Sequence, residues 1–232
     1  MQRAKRTVRQ GELSFRSWGG ARRGAGRKRA SPRVRVAHRA RPRHCARHPL
    51  HVTIRLREGL PSLRRMHSRG AVAGAFAGGR ERSGFRLAHF SLQSNHLHLI
   101  VEAEDRRTLS RGMQGLLVRV ARALNGLWRR CGSVFSDRFH ARELRTPREV
   151  RAALVYVLQN ARHHGIRLGG IDPYSSGAWF DGWRERITIV GALPPIVARA
   201  RTWLLGDGWR RHGSIGIGEG PAPPRKLGVA LE

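Results

Sequence analysis

The chain has 232 residues, 40% of them apolar, enough for one ordinary core with extensions but not for two full-sized domains. Its 46 Lys and Arg outnumber 15 Asp and Glu, and the formal charge of +31 exceeds what keeps a globular surface solvated, so a polyanion, nucleic acid first, is the expected partner. Cys45 and Cys131 stand alone, which excludes a disulfide framework or a zinc ribbon; no apolar run approaches the roughly 20 residues of a membrane span, and a bacterial cytoplasm, at the nucleoid, is the expected location.

Residues 1–48 carry 16 Lys and Arg against the single acid Glu12, and such a segment cannot bury enough apolar surface to order itself. The expectation is a flexible arm, either a solubilising tail or an attachment to the phosphate backbone through cations such as Arg27, Lys28 and Arg29. A compact domain is expected over 49–165. "HVTIRLR" from His51 alternates Val52, Ile54 and Leu56 with polar residues, the pattern of a half-buried strand. A helix within 61–79 follows, then strands over 85–93 and 96–104, close enough through Ser94-Asn95 to form a hairpin. The spacing of Leu109, Met113, Leu116, Val120 and Leu124 predicts an amphipathic helix over 109–130 with Thr108 as N-cap. Arg111, Arg119, Arg122 and Arg129 share another face of it, either a phosphate-tracking stripe or the ordinary solvated side.

Residues 134–145 read as extended. Thr146-Pro147-Arg148-Glu149 is a capping box that opens a helix expected to run to about His164 and to stop at Gly165. Residues 166–232 hold four of the six tryptophans among many glycines and prolines, a partly ordered extension with one short helix near 194–205. The order β, α, β, β, α, β, α predicts an α+β fold: a ferredoxin-like antiparallel sheet with helices packed on one face.

On a strand, residues two apart project the same way, so His96 and His98 share one face while Leu97, Leu99 and Val101 fill the other. Two imidazoles so placed either hydrogen-bond and meet solvent or converge on a divalent ion. On the capped helix, Val150, Leu154, Val157 and Leu158 cluster on one side, and Tyr156, Asn160 and His163 lie away from them. Tyr156 is therefore either a partly buried packing aromatic or a functional phenol. Oxygen-plus-imidazole ligation suits Mg²⁺ or Mn²⁺. His96, His98 and Asn160 would then hold a metal beside a scissile phosphate that Tyr156 attacks. A phenol fits such a reaction because phenolate leaves more readily than a sugar alkoxide, so a 3′-OH can reverse the attack and rejoin DNA without ATP.

Four blocks, "NHLHLIVEA" at 95–103, "LSRGMQGLLVRVARALN" at 109–125, "GSVFSDRF" at 132–139 and "YVLQN" at 156–160, together resemble the single-tyrosine HUH transposases, and within them the REP-associated tyrosine transposases. The resemblance covers about residues 49–165. It implies His96 and His98 as the metal-binding pair, Tyr156 as the nucleophile that joins a DNA 5′ phosphate, Asn160 at the place of the helix's metal-facing amide, and single-stranded or hairpin-tipped DNA as substrate. Ser94 stands where relatives usually carry proline, and Asn160-Ala161-Arg162-His163 where they often read Asn-Pro-x-Arg. Two other readings belong to different classes: a host-retained nucleic-acid binder with little catalysis, and a zinc-dependent nuclease using His140, His163 or His164. Whether the protein acts as a monomer or a dimer is left open by the sequence.

Overall fold

The computed structural model describes residues 43–163, 165–166, 168–187 and 194–220. Arg27, Lys28 and Arg29 lie outside the described residues. The central element is a five-stranded antiparallel sheet in the order β2-β3-β4-β1-β5, with β1 Leu50–Arg55, β2 Glu81–Arg82, β3 Phe85–Leu92, β4 His96–Ala103 and β5 His140–Glu143. Without the two-residue β2, the connectivity is that of a ferredoxin-like β-α-β-β-α-β unit.

Helices α1 (Met66–Ala77) and α2 (Arg106–Leu127) cover one face of the sheet. Val72 and Phe76 of α1 and Leu109, Met113, Leu116, Val120 and Leu124 of α2 pack there on Val52, Ile54, Leu97, Leu99 and Val101, the even positions of β1 and the odd positions of β4. The helix and sheet approach so closely that a Cβ on Gly112 would lie 2.1 Å from Phe85 Cγ, which requires glycine at that turn. The N-cap of α2 is Asp105, not Thr108: Asp105 accepts the backbone N–H of Thr108, and the Thr108 hydroxyl accepts that of Asp105. The box sits three residues earlier than the apolar period suggests, because capping depends on a short oxygen before the first turn, not on where the apolar stripe begins.

The expectation of helices on one face holds for α1 and α2; α3 (Pro147–Leu158) lies on the opposite face. Val150, Leu154, Val157 and Leu158 of α3 pack against Ile100 and Ala88, while Leu87, Leu99 and Val101 beside them enter the α1–α2 core. Leu204 and Leu205 of a single-turn helix α5 (Trp203–Gly206), with Trp209 and Ile215, join the same cluster, so α3 is enclosed between sheet and C-terminal segment. This explains why Val155, off the main stripe of α3, is also buried. The short helix expected near 194–205 is thus the four residues of α5.

The capping box of α3 forms as the sequence indicates: Thr146 Oγ1 accepts the N–H of Glu149, and Glu149 accepts the N–H groups of Thr146 and Arg145. Its far end differs. The helix closes at Leu158, Gln159 leaves the helical region at φ −112°, and Asn160–His163 form a separate turn α4 ahead of Gly165, whose φ of +76° favours glycine. Gln159 draws the chain aside by donating to the carbonyls of Gly216 and Ile217. No helix among the described residues is long and apolar enough to cross a membrane.

Candidate active site

Strand register assembles the site. Thr53 of β1 pairs with His98 of β4, His51 with Ile100, and on the other side Thr53 pairs with His140 and His51 with Arg142 of β5. Directly opposite residues share a face, so His51, Thr53, His98, His140 and Arg142 all lie on the face that α3 covers.

The imidazoles form a connected chain. Asn95 Oδ1 lies 2.8 Å from His96 Nδ1, and a carbonyl oxygen only accepts, so His96 carries its proton on Nδ1 and turns Nε2 inward. That Nε2 is 3.0 Å from His98 Nε2. On its other edge His98 Nδ1 lies 3.2 Å from both Thr53 Oγ1 and His51 Nε2. His51 is pushed down to about 4, first by burial and then by the Arg142 guanidinium, so it is neutral at ordinary pH and can donate or accept. Thr53 can do either as well. His98 therefore keeps a partner at Nδ1 in either tautomer; with its proton there it gives up the bond to His96 and turns its Nε2 lone pair, like that of His96, into the space between the rings, the arrangement a metal-ligating pair needs.

α3 places Tyr156 over this cluster. Its ring meets that of His98 edge-on at 5.0 Å between centroids, and those of His51 and His163 at 5.7 and 5.8 Å. Tyr156 is half-buried and not sealed in the core as a whole. The chain's other tyrosine, Tyr174, packs with the α1–α2 cluster under the Arg64 guanidinium, 4.5 Å from its ring.

A divalent ion fits the histidine pair. Two nitrogens at right angles around an ion, each about 2.1 Å from it, lie about 3.0 Å apart, which matches the observed separation of the two Nε2 atoms and an octahedral preference. Asn160 is fully buried, and neither Oδ1 nor Nδ2 has a hydrogen-bond partner among the described residues, an amide left in need of a ligand. No group of three or more His, Cys, Asp or Glu able to hold a metal occurs among the described residues, so the remaining ligands would be amide or solvent oxygens.

The structure thus brings His96, His98 and Tyr156 together, and puts Asn160 on the turn that follows the break in α3. Arg111, Arg119 and Arg122 are exposed on α2, which packs on the sheet face opposite the histidines; Arg129, also exposed, lies beyond the end of the helix at Leu127, with a φ of +47°, and not on its face as the spacing predicts. His51, Thr53 and Arg142 were not singled out in the sequence. Their parity on "HVTIRLR" and "HARE" marks a polar face, but only the pairing register puts that face beside His98.

No protein-family model matches the chain, and no curated protein matches it. Among solved structures, the chain is similar to that of a REP-associated tyrosine transposase bound to a REP hairpin, with a TM-score of 0.51 and 15% identity over 62% of this chain and 84% of that one. The two share an α+β fold built on an antiparallel sheet.

Proposed function

We propose that this chain is a DNA transposase that cuts and rejoins single-stranded or hairpin-tipped DNA through Tyr156. The observation that carries the reading is the seat of Tyr156: a phenol held edge-on to His98, on a helix that crosses the histidine face of the sheet. The fold shared with a hairpin-bound transposase and the charge of +31 agree with it.

In the proposed reaction the Tyr156 oxygen attacks phosphorus, the bond from phosphorus to O3′ breaks, the phenol proton leaves to solvent, and the freed 3′ oxygen is protonated. The 5′ phosphate stays on Tyr156 until a 3′-OH reverses the attack and displaces the phenolate. A Mg²⁺ or Mn²⁺ ion held by His96, His98 and Asn160 would withdraw charge from the phosphate and steady the departing oxygen. His51 and Thr53 orient His98, and Asn95 orients His96.

Incubation with hairpin-bearing single-stranded DNA and Mn²⁺ should give a covalent adduct that survives denaturant. Tyr156→Phe should abolish it, and His96→Ala should remove its dependence on metal. An adduct that persists in Tyr156→Phe refutes the assignment. DNA retention that falls with salt, with no adduct under any condition, would instead identify a nucleic-acid binder that keeps the charge and not the chemistry.

A further inference from the structure

Beyond His51 the site opens into a cleft of about 490 Å³ walled by α3, β5 and the segment around 212–220. A nucleotide-sized group fits that volume. Tyr156 and His51 form one wall, Ala153 and Val155 an apolar strip, and Arg142, Arg148, Arg151 and His212 supply the polar lining.

These cations differ in how far they are already neutralised. Arg151 is committed to the fold: it forms a bidentate pair with Glu219 at 2.6 and 2.9 Å and donates to the carbonyls of Gly213 and Ser214. Arg142 lies 3.5 Å from Glu149, whose carboxylate is also taken up by two backbone N–H groups of the capping box. Arg148 and His212 have no hydrogen-bond or ion-pair partner among the described residues. Positive charge therefore remains on the lining of a cleft that Tyr156 also lines, and guanidinium groups together with apolar side chains suit a phosphate followed by a sugar and base.

We propose that this cleft binds the nucleotide on the 3′ side of the cut, the one whose 5′ phosphate Tyr156 takes up, with Arg142 and Arg148 holding the next phosphate along the strand. The inference rests on Tyr156 as the attacking residue. The same two arginines then keep the cleaved strand aligned while it waits for a 3′-OH.

The probe is thymidine 3′,5′-bisphosphate, which carries both phosphates of one nucleotide, compared with thymidine 5′-monophosphate by calorimetry on the full chain at about 100 mM salt. The bisphosphate should bind at least about tenfold more tightly. The double variant Arg142→Gln/Arg148→Gln should lose that advantage and keep its monophosphate affinity within about twofold, while Arg107→Gln on α2 leaves both unchanged. Equal binding of the two nucleotides by the parent, equal weakening of both in the double variant, or the same loss in Arg107→Gln each overturns the proposal. In the adduct assay the double variant should need about tenfold or more DNA to reach half of its own maximal rate. Adduct formation without bisphosphate preference sinks the cleft alone; bisphosphate preference without any adduct sinks the transposase reading and leaves an anion site.

Discussion

His89 lies on β3 with its ring against Phe180, at 5.5 Å between centroids, and with Nδ1 3.3 Å from Ser176 Oγ. Burial pushes its pKa from 6.5 down to about 4, and the distant Asp181 carboxylate offsets only part of that. The unfolded chain therefore binds more protons at this position than the folded one wherever the pH lies below the unfolded value. Stability from His89 is fully present above about pH 6.5 and is lost as the pH falls toward 4, in total about 3 kcal/mol. Between about pH 7.5 and pH 5 the same linkage removes about 2 kcal/mol. The assay is urea unfolding of the full chain and of His89→Gln at those two pH values. His51 titrates in both proteins and cancels in the comparison. The variant is expected to lose about 2 kcal/mol less than the parent on acidification. Parallel pH dependences would refute the reasoning, because they would mean that the folded protein accommodates the imidazolium beside Phe180.

Other perturbations probe separate parts of the structure. Arg64→Met leaves the buried Asp172 carboxylate without the bidentate partner that now holds it at 2.9 Å on both oxygens, and should cost about 3–5 kcal/mol in denaturant unfolding; Arg64→Met/Asp172→Asn should recover much of it. Gly112→Ala drives a methyl into the Phe85 ring and should cost about 1–3 kcal/mol, which Phe85→Leu in the same chain should partly relieve. Asn160→Leu removes a buried amide without partners among the described residues, so in chelator it should raise stability by about 1 kcal/mol while weakening Mn²⁺ binding measured by titration. A variant that loses stability in chelator would show that the amide has a partner in the metal-free protein.

Much of this architecture could be read from the sequence because it rests on local rules. The alternation in "HVTIRLR" and "HLHLIVEA" and the box at Thr146–Glu149 each depend on residues a few positions apart, and each element formed where its own pattern indicated. What escaped depends on distant partners. The arrest of α3 at Leu158 follows from Gln159 bonding to carbonyls more than fifty positions away. The layer chosen by α3 follows from Ile100 and Ala88 having to be covered, and a second apolar layer is hard to infer when only single residues of each strand point into it. The candidate site divides along the same line. His96 and His98 advertise themselves by spacing, whereas His51 and Arg142 become neighbours of the site only through sheet register.

The register of β3 shifts between Leu87 and His89, where Ala88 has no counterpart on β4. Ahead of that point the odd-numbered Phe85 and Leu87 enter the α1–α2 core, and past it the even-numbered Phe90 and Leu92 do so. One surplus alanine thus acts as a phase shifter, letting both halves of a strand serve one interior although their parities conflict. Excising Ala88 would leave Phe85, Leu87, Phe90 and Leu92 in plain alternation on that same interior and take from the α3 layer a methyl on which it packs.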